Sequence, residues 1–185
     1  MKIISFMCKK GGPGKSTIAS MLALYWAEQE GKHVAIIDRD RNKDSLAFVR
    51  AAQHPNIHIF ENGEAYDYVL VDTPGGIQQK DVDAIMQESN LVLVPSRLRS
   101  RDIRNATATA RLIRTPEKAR LVWNCIDTTT AMFRHRGQYA KAIGLTPLKS
   151  YLVDRVSYDY ASTGGWEMLD RKALTELAKL AKEVR

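Results

Sequence analysis

Cysteine is scarce in this sequence: Cys8 and Cys125 are the only two in a chain of 185 residues. Two thiols cannot by themselves build a metal cage, and so low a count does not describe a secreted, disulfide-stapled scaffold. Long apolar runs are missing as well. No stretch approaches the roughly 18 residues that a membrane-spanning helix requires. The apolar opening from Met1 to Cys8 is cut by Lys9-Lys10 before it reaches the length of a signal-peptide core. Internal repeats, low-complexity tracts and linker-like stretches are absent. So are helix-turn-helix and zinc-finger patterns, and base-specific reading of nucleic acid is not expected. From these absences a cytoplasmic protein is expected.

What remains has an ordinary globular balance, with 44% apolar and 26% charged residues. The length suits one domain over residues 1–185 with a sizeable core. The net charge is +7, and it is unevenly spread. Between Arg97 and Arg120 eight basic residues face only Asp102 and Glu117. A patch so concentrated suits a polyanionic partner better than a uniform excess would.

Apolar strands alternate with amphipathic helices. Strands are expected at Ile3–Met7, Val34–Ile37, Tyr68–Val71, Leu91–Val94 and Arg120–Asn124. Helices are expected at about Lys15–Glu30, Ser45–Gln53, Lys80–Glu88, along the arginine-rich segment, Met132–Ile143 and Arg171–Val184. Strands this apolar, separated by helices, predict a doubly wound, mostly parallel α/β sheet covered on both faces. Ile57–Phe60 fits badly. Seven residues separate it from Tyr68, fewer than a parallel crossover of about ten to twelve uses. The segment reads as a loop or as an antiparallel edge strand.

The strongest motif is Lys9-Lys10-Gly11-Gly12-Pro13-Gly14-Lys15-Ser16-Thr17, directly between a strand and a helix. Glycines there let the backbone wrap a phosphate, and the helix N-terminus aims its amides inward. Lys15 adds a charge, and Ser16 a hydroxyl suited to Mg²⁺. Lys9 occupies the usual first glycine position, and Pro13 removes one amide donor.

Lys10 to Thr17 resembles the deviant Walker A box of ParA/MinD-type ATPases, whose mark is a second lysine ahead of the glycines. Ile36-Ile37-Asp38-Arg39-Asp40 is similar to that family's second acidic box, and Tyr68 to Gly76 to its Walker B strand and switch turn. Arg155 to Tyr158, with Gly164, Gly165 and Glu167, is faintly similar to the short plasmid-partition ParA proteins. The resemblance implies a P-loop fold binding ATP and Mg²⁺ at Lys10, Gly11, Gly12, Pro13, Gly14, Lys15, Ser16 and Thr17. It implies that Ser16, Asp38 and Asp72 serve the metal, the carboxylates through water. Lys10 would reach a partner's phosphates across an ATP-bound homodimer, beside Lys15 in the catalytic set. Asp38 and Asp40 are candidates for organising the attacking water, although a strand-end Asp is also a common cap. The family usually continues this box with Pro-Gln, where Arg41-Asn42 stand here. Gly75 and Gly76 would let the turn respond to the γ-phosphate. Asn124 is either an adenine contact or a strand-end cap.

Arg97, Arg99, Arg104, Arg111, Arg114, Lys118 and Arg120 are candidates for binding DNA phosphates without reading sequence. The first part of that segment equally suits a dimer face or a solvated helix surface. Arg134, Arg136 and Lys141 would extend the basic surface. The last helix carries an apolar stripe from Ala173 to Val184 but no Trp or Phe, which predicts packing against the domain and no stable membrane insertion. The implied activity is slow, partner-stimulated ATP hydrolysis driving DNA segregation. A ParB-like centromere-binding or adaptor protein would be the partner, and the nucleoid the location. A MinD-like membrane-cycling ATPase and a metabolic or metal-delivery P-loop enzyme are the alternatives.

Overall fold

A computed structural model describes residues 1–185. Seven strands form one sheet: β1 (Lys2–Phe6), β2 (Val34–Asp38), β3 (Ile57–Ile59), β4 (Tyr68–Asp72), β5 (Leu91–Ser96), β6 (Ala119–Ile126) and β7 (Pro147–Val153). Their order is β3-β2-β4-β1-β5-β6-β7, and every pairing is parallel. The helices are α1 (Lys15–Glu30), α2 (Asp44–Ala52), α3 (Gln79–Glu88), α4 (Ser100–Ala110), α5 (Ala131–Arg134), α6 (Arg136–Ile143), α7 (Val156–Gly164) and α8 (Arg171–Val184). The doubly wound sheet expected from the alternation is present.

Both faces of the sheet are covered, which is why its central strands are apolar throughout. Leu93 of β5 points to one side with α1, α2, α7 and α8, whereas Val92 and Val94 point to the other, with α3, α4 and α6. On the first side Trp26 is fully buried and stacks on Tyr68, with ring centroids 4.0 Å apart. The stripe on α8 behaves as expected: Ala173, Leu177, Leu180 and Ala181 are all 0% exposed. That apolar face is spent on the sheet and on α1.

Three segments depart from expectation. Ile57–Ile59 is neither a loop nor antiparallel; it is a parallel edge strand paired to β2. The eight residues from Phe60 to Asp67 suffice for the return to β4 because β3 is only three residues long. An extended chain of that length reaches about 26 Å, against roughly 14 Å for a short strand and two strand spacings. Phe60 and Tyr66 anchor this return on Ala35, Val69 and Val71. The helix expected over Met132–Ile143 is two helices meeting at His135.

The third difference is β7 with α7, which lie in a stretch with no long apolar run. In Pro147–Val153 burial alternates, with Leu148, Ser150 and Leu152 inward. That period of two suits an edge strand with one covered face. Its backbone is sealed by α8. Glu183 accepts from the Lys149 and Ser150 amides at 2.6 and 2.9 Å, and Glu176 from the Val153 amide at 3.0 Å. Two carboxylates placed two helical turns apart thus occupy the edge that another chain would otherwise pair with.

Candidate functional site

Parallel strands present their C-terminal ends on one edge, and ligands of such sheets bind where the chain order reverses. Here β1 is central, flanked by β4 and β5, and the glycine-rich loop leaves its end. Strand pairing brings the acidic positions beside it, because Phe6 pairs with Asp72 and Asp72 with Asp38. Separation in sequence thereby becomes adjacency on three neighbouring strands.

The loop is held in shape from several directions. Gly12 and Gly14 have φ of 99° and 97°, a region costly for residues with a Cβ. A Cβ at Gly14 would lie 2.0 Å from the Asn124 amide nitrogen. Asn124 Nδ2 donates to the Pro13 carbonyl at 2.9 Å, so this side chain clamps the loop. A bulge between β6 and β7, with Cys125 at φ 54°, presents Asn124 there. The Lys9 amide donates to Thr109 Oγ1 of α4 at 2.9 Å, and the Lys9 carbonyl accepts from the Gly76 amide at 2.8 Å. Gly75 packs on the loop so closely that a Cβ there would approach the Gly11 nitrogen to 3.2 Å. The switch turn and α4 therefore meet the loop at Lys9. Lys15 is buried, whereas Lys10 is exposed and makes no ion pair within the chain.

Asp72 is fully buried, and one of its oxygens has no partner. Oδ2 accepts from Ser45 Oγ at 2.6 Å, while Oδ1 is a buried acceptor without a hydrogen bond. Burial pushes its carboxyl above the usual range, opposed by the Ser16 and Ser45 hydroxyls and by Lys15, with Asp38 adding to the rise. An unpaired buried carboxylate oxygen beside a serine hydroxyl at a phosphate loop is the donor set that a hard divalent cation takes. These residues fit Mg²⁺.

Asp38 is differently engaged. Oδ1 accepts from the Asp40 amide at 2.9 Å, and Oδ2 from the Ser45 and Leu46 amides at 3.0 and 3.2 Å. It caps the start of α2, satisfying amides that the helix leaves open. Asp40 is half-buried, and its Oδ1 accepts from the Asn42 amide at 3.2 Å. Lys43 adopts φ 57° and donates to the Asp38 carbonyl at 2.7 Å, and Arg39 forks onto Glu88 at 2.5 and 3.0 Å.

Beside the loop lies a polar cleft of about 280 Å³ lined by Gly14, Thr17, Asn124, Cys125 and the start of α7. Arg97, Arg99 and Arg155 border it. Arg155 is fixed by Glu176, with Nη2 and Nε at 2.6 and 3.0 Å.

The basic candidates do not form one patch. Arg97 and Arg99 stand at this cleft, and Arg104 and Arg111 are exposed along α4. Arg114 is exposed but 3.4 Å from Asp83. Lys118 is turned onto the carbonyls of Met86 and Ser89 at the end of α3, each at 3.3 Å. Arg120 folds back onto the Glu117 and Ala119 carbonyls at the start of β6, the sheet edge opposite the loop. Packing of α4 on α6 adds exposed Lys141 to the α4 side, and exposed Arg134 ends the short α5 that precedes α6. The links made by Ser45 and Thr109 escaped the sequence reading, since each joins residues far apart in the chain.

No family model matches the chain. Protein VirC1 of Rhizobium rhizogenes is 33% identical over 132 residues, covering 61% of this chain and 56% of that protein. The chain thus spans about half the length of the curated relatives it matches. Among solved structures, the MinD cell division protein of Aquifex aeolicus matches with a TM-score of 0.79 at 18% identity, over 100% of this chain and 97% of that one. A ParA family ATPase of Chlorobium tepidum matches at 0.70 and 15%, over 98% of both chains. The septum site-determining protein MinD of Pyrococcus horikoshii, complexed with Mg-ADP, matches at 0.72 and 15%, over 99% and 95%. The chain therefore has the fold of these MinD and ParA family structures, and over 132 residues it is similar in sequence to VirC1.

Proposed function

We propose that residues 1–185 form one ParA/MinD-type ATPase domain whose nucleotide state controls binding to nonspecific DNA, in the service of segregating or positioning a cargo. The observation that carries this is the phosphate loop with Lys15 buried in it and the unpaired oxygen of Asp72 next to Ser16. The relatives named above, a MinD bound to Mg-ADP among them, support the same chemistry.

In this reading the loop amides and Lys15 bind and orient the phosphates of ATP. Ser16 and Asp72 would hold Mg²⁺, which when bound neutralises charge on the phosphate oxygens. Lys10, exposed and in no ion pair within the chain, would meet phosphates on a second copy in an ATP-bound homodimer. Asp38 holds the segment carrying Asp40 in place through its three amide contacts, and Asp40 orients the attacking water. The cleft beside Asn124 receives the base. Hydrolysis is slow until a partner protein stimulates it, and it opens the dimer.

The polyanion-facing surface is α4 with α6, centred on Arg104 and Arg111. These lie seven positions apart, so about 10 Å along one face. The sealed apolar face of α8 favours DNA over a lipid surface as the polyanion. The test is binding of random-sequence duplex DNA with ATP, ADP or no nucleotide across a salt series. Binding that requires ATP, falls steeply with salt and is lost in Lys10→Ala and in Arg104→Ala/Arg111→Ala supports the proposal. An ATP-bound dimer that ignores DNA overturns it.

A further inference from the structure

Ser45 lies in the first turn of α2, is 0% exposed, and touches both acidic strands. Its amide donates to Asp38 Oδ2 at 3.0 Å and its hydroxyl to Asp72 Oδ2 at 2.6 Å. The hydroxyl is not needed to start the helix, because Asp38 already accepts from the amides there. Instead it reaches across to the end of β4 and occupies one oxygen of the Asp72 carboxylate. The other oxygen, Oδ1, is left buried and without a partner.

We propose that Ser45 is a positioning residue for the divalent cation, anchoring Asp72 so that Oδ1 alone is presented to the metal. The inference rests on the Mg-nucleotide reading of this site. A carboxylate hydrogen-bonded at one oxygen is restrained in rotation, so its remaining oxygen favours one direction before any cation arrives. Groups that orient metal-binding carboxylates in this way commonly change metal affinity 10- to 100-fold when removed. A hydroxyl is neutral, so this anchor adds no positive charge to compete with the metal for Asp72. Because Ser45 belongs to α2, the same contact ties the Arg39–Asp44 segment to the metal position.

The experiment is a Mg²⁺ titration of the full chain at fixed fluorescent ATP analogue, with a parallel measurement of analogue binding in EDTA. Ser45→Ala is expected to raise the Mg²⁺ midpoint by about tenfold or more, leaving the affinity measured in EDTA within about twofold of wild type. Ser45→Thr, which restores a hydroxyl, is expected to recover most of the shift. Ser45→Cys keeps the side-chain volume with a weak donor, and it supplies the same comparison should the alanine variant not fold. A serine that only stabilised the fold would lower the melting temperature and leave the Mg²⁺ midpoint where it was. That result overturns the proposal if Asp72→Asn still shifts the midpoint. If Asp72→Asn leaves the midpoint unchanged as well, the metal reading of Asp72 falls, and the role of Ser45 falls with it.

Discussion

Replacing Gly14 with alanine tests how the phosphate loop is held. The residue sits at φ 97° and ψ 31°, where a Cβ costs about 1–2 kcal/mol. The added carbon would lie 2.0 Å from Asn124 Nδ2, so Asn124 must swing away and give up its 2.9 Å bond to the Pro13 carbonyl. Asn124 is only 6% exposed, and leaving such buried polar groups unpaired costs about 1–3 kcal/mol. The total is about 2–5 kcal/mol, which lowers the melting temperature by about 4–20 °C in a chain of this size. A double-mutant cycle with Asn124→Ala separates the two contributions by urea denaturation. In the Asn124→Ala background there is nothing to collide with, and Gly14→Ala should cost only the backbone part, giving a coupling of about 1–3 kcal/mol. Equal costs in the two backgrounds would refute the clamp.

Asp72→Asn is expected to raise the melting temperature of the metal-free protein at pH 7.5. Burial lifts the Asp72 carboxyl above its ordinary value of 3.8, so this group costs stability as pH rises through the folded value, and the neutral amide relieves that cost. The same variant should lose the extra stabilisation by Mg-ATP; scanning calorimetry in EDTA and in Mg-ATP reads both, and a lower metal-free midpoint would contradict the argument. Asp170 caps α8, its carboxyl held below the ordinary 3.8 by the Ala173 amide first, with Ser157 and Lys172 also contributing. Its contribution is therefore present above pH 3.8 and fades as pH falls through the lowered value. Asp170→Ala should cost about 1 kcal/mol near neutrality and flatten the acid limb of the stability curve; an unchanged acid limb would exclude this role. Thr109→Val preserves shape but strips the Lys9 amide of its acceptor, and it should cost about 1–3 kcal/mol by denaturant titration. A change within 0.3 kcal/mol, the usual scatter of independent sites, would show that α4 does not hold the loop.

Much of the architecture was legible in the sequence, for identifiable reasons. The central strands, buried on both faces, are unbroken apolar runs such as Val69-Leu70-Val71, and the phosphate loop is a contiguous motif whose chemistry depends on its own backbone. Edge elements were harder. β3 is three residues long, and β7 buries only alternate side chains, so neither carries the signal of a two-faced strand.

By itself the sequence determined the parallel α/β sheet, the loop from Lys10 to Thr17, and the strand-end positions of Asp38 and Asp72. Each follows from local pattern. Which atoms those groups engage was decided only by tertiary structure. Asp38 and Asp72 look alike as strand-end acids, yet one accepts three amides from the turn and helix that follow it, and the other keeps a buried oxygen unpaired. Glu176 and Glu183 appear in sequence as charges diluting a basic helix, and in the fold they close the edge of β7. The eight arginines and lysines from Arg97 to Arg120 look like one patch, but α4 and β6 carry them to different edges of the sheet. A hydrogen bond between distant residues depends on register, twist and helix docking together, and no stretch of sequence encodes that combination locally.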